Sequence, residues 1–452
     1  MKNILIFTDS RGSYKEPNSN YKLYTEKLSE NYKVSSYICK YKWTTILDFL
    51  NLLNNGTIKP ENYDYVILHV GISDFSPRHS QIAINNIYKD KKQIFDSVFG
   101  EENIKKYLNT DFNIDYEGDK TINLYSIEMA KMYIIPILQK INNLIWIGSN
   151  NIVDGWNGNY FRERPKNIKI IEEYSKIFCQ NLSNVINLQT WSDDEIKKYT
   201  CDNMHLTENG SDFIYTKLIN RIEKNILVIM GNGPSLKNVD FGLLKKYDTF
   251  GLNSAYRKYK EINFYPTYFG CFDYVVCNHH SKSFNELVTN SPIEKFFFLD
   301  NKYFSEDVKN NIKFQKLNFI HPIRNGVSSF NYFIDMGCSG PNATQSGILM
   351  GYKKIILVGC DANYIDFIEG SKLVNNLLII DKVPEKNPNY WCDDYQQKDD
   401  LYNIPMGNVH VKNWTNLLNI SKEKKVNIVN CSQISKITCF NKSNLLDELQ
   451  NF

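Results

Sequence analysis

The sequence lacks several features that would assign the chain to a special class of protein. Its ten cysteines are scattered singly, with no Cys-x-x-Cys pair, which argues against a metal cluster or a disulfide framework and favours a reducing cytoplasm. No apolar run reaches about 18 residues, so no membrane span is expected. The formal net charge of +3 is near balance and predicts no nucleic-acid partner. The first apolar run, Ile4 to Phe7, is too short for a signal peptide and predicts a strand.

The composition that is present is that of a folded protein. Hydrophobic residues make up 42% and charged residues 23% of the 452-residue chain, which is typical of a globular protein with two or three domains. Peripheral attachment to a membrane and self-association into a homo-oligomer both stay open at this level.

One stretch near the middle of the chain organises the prediction. Residues 226–230 are unbroken apolar residues, as expected of a buried parallel strand. They are followed by Gly231-Asn232-Gly233-Pro234-Ser235. Glycines allow a sharp turn and a close approach of a ligand, and proline and serine suit the start of a helix. A strand, a glycine turn and a helix start form a favourable place to bind an anion, because free N–H groups converge there.

Residues 1–224 read as strands alternating with helices, which predicts a doubly wound, mainly parallel sheet. The predicted strands are Ile4–Phe7, Tyr65–Val70 and Leu144–Gly148. The predicted helices are Asn20–Asn31, Ile122–Asn142 and Gly210–Arg221. Residues 76–121 are polar and weakly periodic, so they are interpreted as an insertion or a lid.

Three points in this half carry chemistry. Ser10 follows the first strand, where its hydroxyl would lie at the carboxyl end of the sheet and its N–H could serve an oxyanion. Gly71 and Ser73 follow the second clear strand and are assigned to the same rim. Asp202 and His205 precede a helix at a spacing that lets the carboxylate orient the imidazole, which can then take the proton of Ser10.

This combination resembles the SGNH, or GDSL-type, hydrolases, which include esterases and carbohydrate O-acetyltransferases. The first block of that family appears here as Thr8-Asp9-Ser10, and its last block as Asp202-x-x-His205 followed by Leu-Thr-Glu-Asn-Gly. The resemblance implies Ser10 as nucleophile, His205 as base and Asp202 as its orienting partner.

The sequence also departs from that family. Ser73 stands where an asparagine normally helps to hold the oxyanion, and no convincing glycine of the second block occurs between residues 32 and 60. Loss of one oxyanion donor costs a factor of about 10² to 10³ in rate. A slow, specialised or inactive domain used for binding therefore stays open beside the catalytic reading.

The second half, residues 225–452, again predicts an α/β domain that follows the first without a flexible linker. Its predicted strands and helices are Ile226–Met230, Thr249–Asn253, Tyr268–Asp273, Lys295–Leu299, residues 340–350, Lys354–Val358, residues 411–422 and Val426–Val429. Polar residues recur at strand ends: Asn232, Asn253, Asp273 and Asp361. In an open α/β sheet such ends line one crevice, where a nucleotide would bind.

The segment from about 225 to 436 resembles the bacterial sialyltransferases of glycosyltransferase family 42, a GT-A variant. The resemblance rests on the glycine loop, on Leu252-Asn253-Ser254, on Cys338-Ser339-Gly340, on Gly359-Cys360-Asp361 and on Val409-His410 before a helix. It implies phosphate and ribose contacts at Gly231, Asn232, Gly233 and Ser235, donor-sugar contacts at Asn253, Ser339 and Gly340, and a nucleoside contact at Asp361. It also implies that His410 is the general base.

The donor is less certain than the reaction class. The family uses two tyrosine hydroxyls at the leaving phosphate; here Asn363 stands where the first is expected, Tyr364 is its neighbour, and Tyr390 is a candidate for the second. CMP-activated sialic acid is the nearest inference, while another nonulosonate, Kdo or a different nucleotide sugar stays open. No Asp-x-Asp metal motif occurs in a fitting place, so no metal and no cofactor beyond the donor substrate is expected. His279, His280 and His321 are interpreted as solvated loop residues.

The sequence thus predicts two tandem Rossmann- or flavodoxin-like domains in a cytoplasmic enzyme of surface-glycan synthesis, with a nucleotide sugar and a glycan acceptor as partners. Two alternatives remain. The second domain could be a diphosphokinase, which resembles this family in its glycine loop and would need ATP and magnesium, or the protein could bind glycans through two decayed sites.

Overall fold

The computed structural model describes residues 1–110, 115–182, 184–298, 302–311, 313–317, 319–320, 330 and 333–450. The chain divides into two compact units, Met1–Thr216 and Lys217–Phe452. The sequence places the boundary a few residues later, at about 224.

The N-terminal unit is built on a five-stranded sheet. Its strands are β1 (Asn3–Thr8), β2 (Lys33–Ile38), β3 (Tyr65–His69), β4 (Leu144–Ile147) and β5 (Val185–Ile186). They pair in the order β2-β1-β3-β4-β5, and every pair is parallel. Strand β4 is buried at every position and β1 and β3 nearly so, as the apolar runs predict for strands covered on both faces.

Helices cover this sheet. The longer ones are α1 (Tyr24–Asn31), α2 (Ile46–Asn54), α3 (Lys89–Phe99), α4 (Glu101–Leu108), α5 (Ile170–Asn181) and α6 (Asp193–Tyr199). Helix α7 (Glu208–Glu223) begins in this unit and continues past its boundary at Thr216. Short helical segments occupy Ile72–Phe75, Ser80–Tyr88 and Ile127–Leu138. Thr45 begins α2 with a capping box, because its hydroxyl accepts from the Asp48 N–H and the Asp48 carboxylate accepts from the Thr45 N–H.

The segment predicted as an insertion or lid is largely part of the core. Helices α3 and α4 lie within it, and Ile87, Phe95, Phe99 and Ile104 are buried in the main hydrophobic cluster of the unit. Only one face of each helix is buried, so the segment is polar overall. Its composition therefore does not predict its contribution to the core. Residues 111–114 lie outside the described part of the chain.

The C-terminal unit is built on an eight-stranded sheet. Its strands are β6 (Ile226–Met230), β7 (Asp248–Leu252), β8 (Tyr268–Cys271), β9 (Lys295–Phe298), β10 (Phe314–Lys316), β11 (Lys354–Val358), β12 (Asn427–Asn430) and β13 (Asn441–Lys442). The order is β10-β9-β8-β7-β6-β11-β12-β13, with every pair parallel. The chain reverses its direction of progress across the sheet between β6 and β11, and such a switch point opens a crevice.

Five α-helices of at least six residues lie in the described part of this unit after β6. They are α8 (Tyr274–His279), α9 (Ser281–Asn290), α10 (Ser339–Leu349), α11 (Gly407–Glu423) and α12 (Leu445–Gln450). A small antiparallel sheet is formed by Ser371–Val374, Leu377–Ile380 and Leu401–Tyr402. The remaining short elements are the helices Pro234–Asn238, Phe241–Leu244, Asn253–Tyr259 and Glu306–Lys309 and the paired strands Phe319–Ile320 and Phe333–Ile334.

The predicted fold class, α/β with two mainly parallel sheets, is confirmed. Among the described residues, no helix combines the length and the apolar character that crossing a bilayer requires. The prediction that Val426–Val429 forms the last strand is wrong, because β13 extends the sheet by one more.

Candidate active sites

The N-terminal unit contains an assembled serine–histidine–aspartate triad. Ser10 Oγ lies 2.9 Å from His205 Nε2, and His205 Nδ1 lies 2.8 Å from Asp202 Oδ2. The other carboxylate oxygen, Asp202 Oδ1, accepts the backbone N–H of His205 at 2.7 Å. The aspartate therefore fixes both the backbone and the ring of the histidine, which directs Nε2 at the serine hydroxyl.

The Asp202 carboxylate is kept ionised in a mostly buried position. Burial acts to raise the pKa of Asp202, but the hydrogen bonds from His205 together with the charge of that residue outweigh burial, and the pKa lies below its usual value. Arg164 Nη2 lies 3.8 Å from Asp202 Oδ2, and the ring of Tyr14 packs 4.5 Å from the imidazole. These two residues flank the triad and carry no sequence motif that would have revealed them.

A buried ion pair holds the turn that carries Ser10. Asp9 accepts Arg11 Nη2 at 2.9 Å, and Arg11 Nη1 donates to Ser149 Oγ at 2.8 Å after β4. Asp9 also accepts the backbone N–H of Ile72 at 3.1 Å. The ends of β1, β3 and β4 are thereby joined, so Asp9 positions the serine turn and the Gly71 loop together.

The two residues assigned to the oxyanion site lie on that loop. Gly71 has φ of 128°, and a Cβ there would meet the Phe75 ring at 2.5 Å, so only glycine fits. Ser73 follows in the short helix Ile72–Phe75. Since Thr8 pairs with His69 in register, the loop and Ser10 follow adjacent strand ends.

Asp74 ends the sequence Gly71-Ile72-Ser73-Asp74, and its side chain is buried in the protein interior. Its carboxylate accepts the Ile46 N–H at 3.1 Å and the Tyr125 hydroxyl at 2.9 Å, at the start of α2. Burial raises the pKa of Asp74 to about 7. Asp74 therefore serves the fold and is not in contact with the triad by any described hydrogen bond.

The C-terminal unit has a cavity of about 360 Å³ at the carboxyl ends of its central strands, which we call the donor cavity. Among its lining residues are ten named from the sequence: Gly231, Asn232, Asn253, Asp273, Ser339, Gly340, Asp361, Tyr364, Tyr390 and His410. Gly233, Ser235 and Asn363 do not line it.

The glycine loop is closed by a carboxylate of the protein itself. Ser235 N–H donates to Asp361 Oδ2 at 2.8 Å, and the Ser235 hydroxyl donates to the other oxygen. A Cβ on Gly233 would meet Asp361 Oδ2 at 2.5 Å, so the glycine makes room for this contact. The expected phosphate contacts of Gly233 and Ser235 are thus replaced by an internal hydrogen-bonded cap, a contact between distant residues that spacing could not reveal.

Two asparagines offer polar groups at the cavity. Asn232 is 8% exposed and donates to Leu252 O at 3.0 Å and to the Tyr395 hydroxyl at 2.9 Å, whereas its Oδ1 has no hydrogen-bond partner among the described residues. Asn253 adopts φ of 52° and exchanges hydrogen bonds of 3.2 and 3.3 Å with Ser339. A buried amide oxygen without a partner favours a ligand that donates a hydrogen bond.

Four tyrosines form one side of the donor cavity, which we call the tyrosine wall: Tyr364, Tyr390, Tyr395 and Tyr402. Tyr390 stacks on Tyr395 with ring centroids 4.0 Å apart. Burial raises the pKa of all four phenols, so each stays a hydrogen-bond donor at neutral pH. Asn363 is exposed and outside the lining, so its assignment to the donor site gains no support, and Tyr364 next to it takes the cavity position.

His410 lies in the first turn of α11, with its ring 5.0 Å from that of Tyr364. Burial lowers the pKa of His410, partly opposed by the negative charges of Asp273 and Asp366. Asp273 itself accepts two N–H groups at the start of α8 and the Asn403 amide at 3.0 Å. His410 is therefore neutral near pH 7 and able to accept a proton in the cavity.

Comparison with known proteins gives limited information. No protein-family model matches the chain, and neither does any curated protein. The similar solved structures include the sialyltransferase CstII from Campylobacter jejuni in complex with the substrate analogue CMP-3FNeuAc, at 15% identity over 48% of this chain and 85% of that chain, with a TM-score of 0.27. They also include the monofunctional α-2,3-sialyltransferase Cst-I of the same organism, at 17% identity over 47% and 78% of the two chains, with a TM-score of 0.27. The Maf glycosyltransferase from Magnetospirillum magneticum AMB-1 is 11% identical over 70% and 56%, with a TM-score of 0.31. Scores this low establish neither fold nor function.

Proposed function

We propose that the C-terminal unit transfers a sugar from a nucleotide-activated donor to a glycan acceptor. The observation that carries the proposal is the donor cavity itself, which brings a neutral histidine and protonated phenols to the switch point of a parallel sheet. A nucleotide sugar needs this combination: a base at the acceptor and hydrogen-bond donors at the departing phosphate.

The reaction follows from these groups. His410 takes the proton of the acceptor hydroxyl as its oxygen attacks the anomeric carbon. The bond between that carbon and the phosphate oxygen breaks, and the electron pair leaves with the nucleotide. Tyr364 and Tyr390 donate hydrogen bonds to the phosphate as its charge develops. Attack opposite the leaving group inverts the anomeric centre.

The nearest donor class is a CMP-activated acidic sugar, on the resemblance of residues 225–436. A diphosphokinase is the alternative reaction for this cavity, and it would require ATP and magnesium.

The N-terminal unit, in the same proposal, forms or cleaves an ester on a glycan. Ser10 attacks the acyl carbon, His205 takes its proton and returns it to the leaving alcohol, and an acyl-serine forms. Water or a second sugar hydroxyl then receives the acyl group, and the free Ser10 hydroxyl is regenerated.

The test of the transferase is incubation of the purified chain with a panel of nucleotide sugars and measurement of released nucleotide. We expect release of CMP from a CMP-activated sugar and a rise in thermal midpoint with CMP but not with ATP. Magnesium-dependent transfer of diphosphate from ATP, with no turnover of any nucleotide sugar, would refute the assignment.

A further inference from the structure

A second polar cluster lies next to the tyrosine wall and has no part in the proposed chemistry. His279 ends α8, His280 precedes α9, and Asp400 precedes the strand Leu401–Tyr402. His279 Nε2 lies 3.3 Å from Asp400 Oδ1, and His280 Nε2 lies 3.9 Å from the same oxygen. The junction of α8 and α9 thus supplies two imidazoles, and a loop distant in sequence supplies the carboxylate.

His280 provides an independent sign that something is bound there. It is 3% exposed, its Nδ1 lies 2.9 Å from the Tyr256 hydroxyl, and its Nε2 has no hydrogen-bond partner in the part of the chain that the structure describes. A buried polar atom without a partner costs about 1–3 kcal/mol, so such atoms usually face a ligand or an ion. Here the atom lies 3.9 Å from Asp400 Oδ1, within the cluster.

Hydrogen bonds from three other residues fix the carboxylate of Asp400. Arg257 Nη2 donates to Oδ1 at 2.8 Å and Nη1 donates to Oδ2, which also accepts the Gln397 N–H at 2.7 Å and the Tyr402 hydroxyl at 3.2 Å. A carboxylate oxygen has two lone pairs. Asp400 Oδ1 therefore keeps a second lone pair that can bind an ion near the two histidines. The Arg257 guanidinium fixes the orientation of the carboxylate.

We propose that His279, His280 and Asp400 bind a divalent transition-metal ion of the zinc class, with a fourth position open to water or an anion. One atom from each residue can be chosen so that all lie within 4.8 Å of one another. Zinc–ligand bonds of about 2.0–2.2 Å at tetrahedral angles require ligand atoms about 3.3–3.6 Å apart, so small side-chain adjustments suffice. Two imidazoles and a carboxylate suit this class of ion.

The neighbouring residues fit the surroundings of a metal site. A histidine that binds a metal through Nε2 normally donates its other ring N–H to an acceptor, and the Tyr256 oxygen can accept it from Nδ1 of His280. Arg257 orients the carboxylate in the same way. Its positive charge also opposes the ion, so we expect weaker binding than at a structural zinc site.

The ion would affect the tyrosine wall. Asp400 accepts from the Tyr402 hydroxyl, and Arg257 Nη1 donates to the backbone oxygen of Tyr395 at 3.0 Å. Both tyrosines line the donor cavity. Metal binding would therefore stabilise this side of the cavity without contact between the ion and the reacting atoms.

The test is a titration of the chelator-treated full chain with Co²⁺, followed by displacement with Zn²⁺. Visible absorption bands typical of tetrahedral Co²⁺ with nitrogen and oxygen ligands should saturate at one equivalent and disappear on displacement. His279→Ala should weaken binding at least tenfold and abolish the rise in thermal midpoint with Zn²⁺. This histidine ends a helix at the surface, so the variant is expected to fold.

The matched control is His79→Ala, which removes another histidine close to carboxylates, Glu117 and Asp119, each 3.4 Å away. We expect it to bind Co²⁺ as the unaltered chain does. Equal binding by His279→Ala and the unaltered chain, loss of binding in His79→Ala, thiolate absorption from the free cysteines, or no binding at all would each overturn the proposal. None of these readouts depends on sugar transfer, so the metal site and the proposed activity can fail separately.

Discussion

The two candidate sites differ in how complete they are. In the N-terminal unit, the reactive groups already bond to one another, with both triad distances below 3 Å. In the C-terminal unit, the cavity presents the Asn232 amide oxygen, which has no hydrogen-bond partner among the described residues. A nucleophile must be activated before the substrate arrives, whereas a donor site gains most from hydrogen bonds formed only with the ligand and the departing phosphate. The difference teaches that a satisfied hydrogen-bond network and an unsatisfied one can each mark function.

The largest effect is expected from Ser10→Ala. Loss of the triad nucleophile should reduce hydrolysis of p-nitrophenyl acetate by about 10⁵-fold or more, because the histidine then has no hydroxyl to activate. Sugar transfer should be unchanged, which separates the two sites. Unchanged hydrolysis in the variant would show that Ser10 is not the nucleophile.

The second effect is that of His410→Ala on sugar transfer, an expected loss of about 10² to 10⁴-fold through removal of the base. Ester hydrolysis should be unaffected, whereas Ser10→Ala should lose hydrolysis and keep sugar transfer. Because burial lowers the pKa of His410, its neutral form persists to lower pH, and the acid limb of kcat/KM should lie below the ordinary histidine value of 6.5. An acid limb above that value, or full activity of the variant, would contradict the assignment.

The third prediction compares two tyrosines that stack on each other. Tyr390→Phe should lower kcat for transfer about tenfold to a hundredfold with an unchanged thermal midpoint, since no described protein group bonds its hydroxyl. Tyr395→Phe should mainly destabilise the C-terminal unit, by about 1 kcal/mol or more, because its hydroxyl accepts from Asn232 and from the Ser254 N–H. The reverse pattern would place the leaving phosphate elsewhere.

The smallest effect concerns Asp74 and the stability of the N-terminal unit. Its pKa is raised from 3.8 to about 7, so the folded unit binds a proton that the unfolded chain releases. This contribution is complete below about pH 4 and is lost as pH rises through about 7. Its loss should lower the free energy of unfolding by about 2 kcal/mol between about pH 5 and pH 7. Urea unfolding should show this slope and show its loss in Asp74→Asn.

Asp154→Asn, which alters an exposed carboxylate, is the control for that series and should keep the slope. An unchanged pH dependence in Asp74→Asn would show that this carboxyl titrates normally in the folded protein.

The sequence predicts the elements whose signals are local. The apolar runs 226–230 and 354–358 coincide with β6 and β11, and Asp202 and His205, three residues apart, form the predicted hydrogen bond. Apart from the pair Ser10 and His205, which the family resemblance implied, the sequence does not reveal contacts between distant residues. The closure of the glycine loop by Asp361 and the convergence of His279 and His280 on Asp400 depend on tertiary structure. His321 lies outside the described residues.

The topology of the larger sheet has a consequence for synthesis on the ribosome. Strand β6 is the first strand of this sheet to be synthesised. Its partner β11, in which Lys354 pairs with Ile226, is synthesised only after all of the intervening chain. At about 5–20 residues per second, one side of the nascent central strand is left open for on the order of ten seconds. Nascent chains of this unit should therefore depend on chaperones more than those of the N-terminal unit, whose β1 meets β2 much sooner.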